Sequence, residues 1–152
     1  MALFDAALAS AEKRSRHCYH PSISEPLQAM EICLLPEGRV APHVHDEHRR
    51  EFYYILDGEA EFIWFDKKEP KITGSVSLSS QPGNCGFYNL HAELPHTFLI
   101  FSRSLSFIEC SNGPFTGTPA MAVWYESFSQ DKKNDFWRSV EAYARSKYND
   151  SR

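Results

Sequence analysis

No apolar run in the 152 residues approaches the roughly 18–20 that a membrane-spanning helix requires, so no membrane partner is expected. No block of five or more basic residues occurs and the formal net charge is only −4, which sets nucleic acid aside as a partner. The first stretch, MALFDAALASAEKRSRH, lacks the order of a secretory leader. Asp5 interrupts its apolar part and its basic residues come last, so the expected location is cytoplasmic. The four cysteines, Cys18, Cys33, Cys85 and Cys110, form no CxxC pair. They read as reduced thiols, each a small buried hydrophobe. Internal repeats and low-complexity tracts are also missing, which excludes solenoids and disordered linkers.

What is present is a folding chain. Hydrophobic residues make up 42% and aromatic residues 14%, enough for one domain spanning 1–152. Residues 2–16 have helical spacing, with Leu3, Phe4, Ala7, Leu8 and Ala11 on one stripe and Lys13, Arg14 and Arg16 at the C-terminal end. Residues 1–26 thus form a helix and a lip segment. From 27 to 128, nine short β-rich runs follow one another: LQAMEICLL, RVAPHVH, EFYYILD, EAEFIWFD, GSVSLSS, CGFYNL, HTFLIFS, LSFIEC and AVWYESF. Their close spacing predicts a mainly β fold, a small antiparallel β-barrel. Asp57-Gly58 reads as a tight hairpin between two of them. Residues 129–152 return to helical spacing, with Phe136, Val140 and Tyr143 on one face beside Trp137 and Ala144. That helix is expected to pack on the outside of the barrel. Both faces of EFIWF and FYYIL are apolar, so the terminal helices or a second subunit must cover one side, and a homodimer is expected.

The chemistry concentrates in PHVHDEHRRE, residues 42–51. His43 and His45 are two apart, so on a strand both imidazoles leave the same face. Glu51 opens the next strand and is expected beside them across a hairpin. Pro95-His96 opens a later strand whose next inward positions are Phe98 and Ile100, a dry wall for a fourth ligand. Three imidazoles and a carboxylate suit one divalent transition metal, iron, manganese, nickel or zinc.

A glycine, then HxH, then a glutamate, then a glycine, GRVAPHVHDEHRREFYYILDG, resembles the first motif of the cupin superfamily. NLHAELPHTF resembles a degenerate second motif. The resemblance implies a cupin, jelly-roll type barrel over 27–128 with flanking helices and the ligands His43, His45, Glu51 and His96. The segment between His45 and Glu51 is one or two residues longer than in most cupins. RHCYHPSISEPLQ, PEGRVAPHVHDEHRREF and IECSNGPF further resemble the WbuC-like cupin metalloproteins, through Arg16, His20, Pro42, His48, Glu109, Gly113, Pro114 and Phe115. Two positions depart from that pattern: Arg50 stands where a tryptophan is usual, and Ala29 where an arginine is. The WbuC-like family is associated with bacterial surface-polysaccharide gene clusters, and its reaction is not established.

The remaining polar residues carry two readings each. Arg14, Arg16, His17 and His20 are a capped helix end or an anion-binding lip over the barrel mouth. The resemblance favours the lip, with Arg16 and His20 binding substrate. His48 reads as solvated and His91 as surface or rim. Cys18 reads as buried and inert rather than as a reactive thiol. One of Glu109 and Cys110 must face inward. Glu109 is either an inward acid or base with a pKa raised by burial or a rim carboxylate, and Tyr53, on the face of Glu51, either bonds a substrate or packs; these two are the candidate catalytic residues. A small-molecule ligand is expected. The leading function is a metal-dependent sugar isomerase or epimerase, with three competitors: an iron-dependent oxygenase, a non-catalytic ligand-binding cupin and a metal-stapled structural protein.

Overall fold

The computed structural model describes residues 2–91 and 93–150. Helix α1 (Ala2–Ala9) is followed by β1 (Arg14–Cys18), β2 (Leu27–Leu34), β3 (His43–Val44), β4 (Arg50–Asp57) and β5 (Glu59–Phe65). Then come β6 (Ile72–Ser79), β7 (Phe87–His91), β8 (His96–Ile100), β9 (Leu105–Asn112) and β10 (Ala120–Met121), and the helices α2 (Val123–Glu126) and α3 (Gln130–Asp150). The strands form two five-stranded antiparallel sheets, ordered β1-β2-β9-β4-β7 and β10-β3-β8-β5-β6. The mainly β expectation holds, with the two sheets facing each other as a jelly roll rather than closing into one continuous barrel.

Alternation builds the core between the sheets. Tyr53 and Ile55 of β4, Phe62 of β5, Leu78 of β6, Leu90 of β7, Phe98 of β8 and Phe107 of β9 are buried and in mutual contact. Each large apolar side chain sequestered this way contributes about 1.5–3 kcal/mol. The opposite face of β5 presents Ile63 and Phe65, on which Phe136, Trp137, Val140 and Ala144 of α3 pack. The C-terminal helix is therefore the outer layer of the second sheet. Helix α1 lies over the first sheet, with Leu3, Phe4 and Ala7 against Cys33 and Leu35. The rest of that outer face stays open: Phe52, Tyr54, Leu56 and Phe87 are all exposed.

Several expectations are corrected. The first helix stops at Ala9 instead of reaching Arg16. Lys13 turns the chain with φ 54°, and its Nζ donates to the Leu8 carbonyl at 2.8 Å. Residues 14–18 then pair with β2, Arg14 opposite Leu34 and Arg16 opposite Ile32. A free sheet edge offers these residues ladder hydrogen bonds, and tertiary pairing overrides the helical preference of lysine and arginine. This edge position also leaves Cys18 exposed, as is Cys85; only Cys33 is the buried thiol expected, with Cys110 half-buried.

RVAPHVH shrinks to the two residues of β3, because Pro42 has no N–H to give a ladder. AVWYESF is not a strand. Trp124 and Tyr125 are adjacent and both buried against one partner, the short helix α2 turning both toward Phe136, which the opposite faces of a strand could not do. Asp57-Gly58 joins no hairpin either: β4 belongs to one sheet and β5 to the other, so the dipeptide is a corner between sheets.

Candidate metal centre

The corner at Gly58 decides how the site is assembled. β3 carries His43 and pairs with β8 so that His43 stands opposite His96. Glu51 instead comes from β4 in the facing sheet. The predicted neighbours do meet, but across the space between the sheets and not across a hairpin. One coordinating atom each of His43, His45 and His96 lies within 4.8 Å of the other two. The ring centroids are 5.1, 4.3 and 5.2 Å apart. Glu51 Oε2 is 3.1 Å from His45 Nε2.

The protonation pattern suits a cation. His43 and His96 each set Nδ1 2.9 Å from a backbone carbonyl, of Ala41 and Leu94 respectively. A ring that donates from Nδ1 leaves a lone pair on Nε2. Burial lowers the pKa of His43, and burial together with the neighbouring His43 pushes His96 down to about 3, so both rings are neutral. The Nε2 atoms of His45 and His96 are buried with no hydrogen-bond partner among the described residues. His45 Nε2 meets only the Glu51 carboxylate and His96 Nε2 meets no polar partner, so the cluster is an unmet demand for a positive centre.

Glu51 is almost wholly buried, yet it is held ionised. Burial works against its charge, but the adjacent His45 imidazole and the Tyr53 hydroxyl outweigh it and hold the carboxyl at about 2. Tyr53 donates its hydroxyl to Oε2, and Arg49 Nε donates to Oε1 at 3.2 Å. Arg49 is fixed in turn on the Asn112 carbonyl at 3.0 Å. Sequence reading missed Arg49 in this role. Position 49 lies in the charged turn before β4, where no local pattern marks it.

A cavity of about 560 Å³ opens onto this cluster, with Arg14, Arg16, Tyr53, Glu109 and Phe98 among its walls. The exposed strap Phe115–Ala120, entered through a cis Gly113-Pro114 bond, lines the mouth. Glu109 stands opposite both Met30 and Tyr53, facing inward as expected. Burial, then the charge of Glu51, push its pKa up to about 7 against the opposing pull of Arg49 and Arg16. Burial and the same two carboxylates raise the phenol of Tyr53 well above its ordinary value, so it stays protonated. His20 is outside the cavity lining; its Nδ1 sits 3.0 Å from the Ala29 carbonyl oxygen and 3.2 Å from the Ala29 amide. His48 is solvated as expected, its side chain 86% exposed. His91 ends β7 opposite Arg50, and its side chain lies outside the described residues.

Glu109 makes stability depend on pH in an unusual direction. The unfolded chain ionises this carboxyl near the ordinary 4.5, while the folded chain keeps the proton to about 7. Stability is therefore lost as pH rises from about 4.5 to 7, and the loss is constant above that. In metal-free protein, Glu109→Gln is expected to match the parent near pH 4. Near pH 8 it should be more stable by on the order of 1–2 kcal/mol, allowing for solvent in the cavity. Urea unfolding at the two pH values measures this; a gain of equal size at both would mean that Glu109 ionises normally.

Comparison with solved structures gives the fold a name. A cupin-2 domain, Rru_A2000 from Rhodospirillum rubrum, superposes with a TM-score of 0.53 at 12% identity, covering 71% of this chain and 64% of that one. The DMSP lyase DddQ from Ruegeria pomeroyi DSS-3 superposes with 0.53 at 19% identity, over 76% of this chain and 54% of that one. An HTH_3 family transcriptional regulator from Vibrio cholerae gives 0.51 at 17% identity, over 67% of this chain and 52% of that one. The chain thus spans about half to two-thirds of the length of these structures. The fold is that of a cupin, and the same fold serves a lyase and a regulator, so it leaves the activity open. No curated protein matches the sequence. One family model does, over residues 1–78: "Domain of unknown function (DUF6016)".

Proposed function

Because the chain belongs to the family described as a domain of unknown function, DUF6016, its chemistry has to be read from the site, and we propose a mononuclear metal enzyme acting on a small oxygenated molecule. The reaction class is isomerisation or epimerisation. The carrying observation is the trio of converging imidazoles, with the buried Nε2 of His96 unpartnered and that of His45 facing the ionised Glu51. His43, His45, His96 and Glu51 would hold the ion. When bound, a divalent metal polarises a carbonyl or hydroxyl oxygen and so acidifies the carbon next to it.

The chain's own residues supply the rest. Glu109 lines the cavity from the strand position opposite Tyr53, where its carboxyl can accept a proton from carbon and return it. Tyr53 is protonated and donates to Glu51, which makes it a positioning residue for that carboxylate. Arg49 fixes the other carboxylate oxygen. Phe98 and Phe107 keep the inner wall dry, which strengthens each of these interactions. Sugar derivatives of surface-polysaccharide metabolism are the substrates to try first. The open outer face of the first sheet, with Phe52 stacked on Phe87 and Tyr54 and Leu56 alongside, supports a two-fold homodimer through that face.

One preparation, made without tag or chelator, tests these points together. Elemental analysis is expected to give one transition metal per chain, and sedimentation a mass twice 17.5 kDa. In D2O with aldose and ketose derivatives, NMR is expected to show deuterium entering the carbon beside the carbonyl, and Glu109→Gln to abolish it while retaining the metal. Metal-loaded protein that binds such compounds without exchange is a binding module. Iron with oxygen consumption identifies an oxygenase.

A further inference from the structure

The arginines at the cavity mouth are not used by this reading. β1 is the edge strand of its sheet, and register places Arg14 opposite Leu34 and Arg16 opposite Ile32. Leu34 and Ile32 point into the core, so both arginines project to the inner side, over the apolar wall. Both line the cavity. Their situations differ. Arg14 Nε is engaged by Glu12 at 2.7 Å, and Arg49, deeper in, is taken up by Glu51 and the Asn112 carbonyl. The Arg16 guanidinium has no side-chain hydrogen bond and no close ion pair among the described residues, though its charge acts on Glu109. A guanidinium whose donors are not taken up, lining a concave site, is a standing attraction for an anion, and its planar fork fits carboxylate and phosphate oxygens two at a time. The same cavity has Ile32, Leu34, Val40 and Phe107 as apolar wall, with Glu109 and Tyr53 among its polar groups.

We propose that the cavity takes an organic acid whose carboxylate or phosphate is held by Arg16, with Arg14 beside it, while an oxygen at the other end of the molecule reaches the end of the cavity lined by His43 and His45. The assignment rests on the metal reading for its inner end only; the arginine end stands on its own geometry. A volume of about 560 Å³ leaves room for a short apolar or hydroxylated body between the two.

The probes are hexanoate, hexyl phosphate and the uncharged hexanamide, followed by NMR titration in the chelated and the metal-loaded protein. In the chelated protein at least one anion is expected to bind about tenfold or more tightly than hexanamide, the scale of one charge-assisted hydrogen bond. Arg16→Gln should remove that preference, Arg16→Lys should keep part of it, and Arg14→Gln should weaken it less. The thermal unfolding of all three variants should stay close to that of the parent, since β1 is an exposed edge. Which anion binds better separates carboxylate from phosphate. Equal binding of hexanamide, no saturable binding of either anion, or an unchanged preference in Arg16→Gln overturns the proposal. Metal content, measured on the same samples, tests the inner end separately. Anion preference without bound metal would retain the arginine site and reject the metal reading; metal without anion preference would do the reverse.

Discussion

His96→Ala is expected to strip the protein of its metal, lowering affinity by at least about a hundredfold, while His48→Ala leaves metal content unchanged. Losing even a group that only orients a metal ligand costs about ten- to a hundredfold, so losing a ligand costs more. The two histidines sit at opposite extremes. His96 is fully buried, its Nδ1 is committed to the Leu94 carbonyl, and its Nε2 has no other partner. His48 is in solvent, its Nε2 3.5 Å from Glu47. Because burial lowers the pKa of His43 and holds that of His96 at about 3, protons should compete little with the metal at neutral pH. Titration with zinc and with manganese, followed by elemental analysis after desalting, measures the effect. The alanine also leaves a hole beside Phe62, whose ring lies 5.3 Å from that of His96, so circular dichroism must show the variant folded. Equal loss in both variants, or none in His96→Ala, would show that the ion is held elsewhere.

The histidine positions were legible because they rest on period two and on a single strand start. His43 and His45 share a parity, and Pro95-His96 marks the opening of β8. The inward pairs Phe62 with Trp64 and Phe98 with Ile100 follow the same rule and do line the core. Topology was less legible. Nothing local tells whether Asp57-Gly58 turns a strand back along its own sheet or carries it to the facing one; that depends on what Glu59 and the residues after it pair with. The same limit hid β1. Lys13, Arg14 and Arg16 are good helix residues, and only the free edge of β2 makes them a strand. Trp124 and Tyr125 look like a strand until α3 is there to receive both rings on one side. Arg49 was overlooked for a different reason: among the charges of residues 46–51, only the buried partner Glu51 distinguishes it.

Gly58→Ala is expected to destabilise the fold by about 3 kcal/mol or more, a large part of the roughly 5–15 kcal/mol that holds a domain of this size together. Gly58 has φ 100°, where a side chain costs about 1–3 kcal/mol in backbone strain. An added Cβ would also stand 2.2 Å from the Ser104 carbonyl oxygen, with Ser102 Oγ at 2.7 Å. That carbonyl cannot move freely, since it accepts a hydrogen bond from Ser102 Oγ at 2.6 Å, and Ser102 Oγ in turn accepts from the Glu59 amide at 2.9 Å. Overlap with fixed backbone adds about 1–3 kcal/mol. Gly83 provides the control. It too has positive φ, 88°, but nothing lies within 4 Å of an added Cβ, so Gly83→Ala should cost only the backbone part. Urea midpoints at constant slope measure both. The corner sets the separation between β4, which carries Glu51, and β5, which packs against β8 and its His96. Gly58→Ala should therefore weaken metal binding as well, whereas Gly83→Ala should not. Equal losses of stability in the two variants would mean that the corner is not the rigid joint between the sheets that the packing around Ser102 and Ser104 describes.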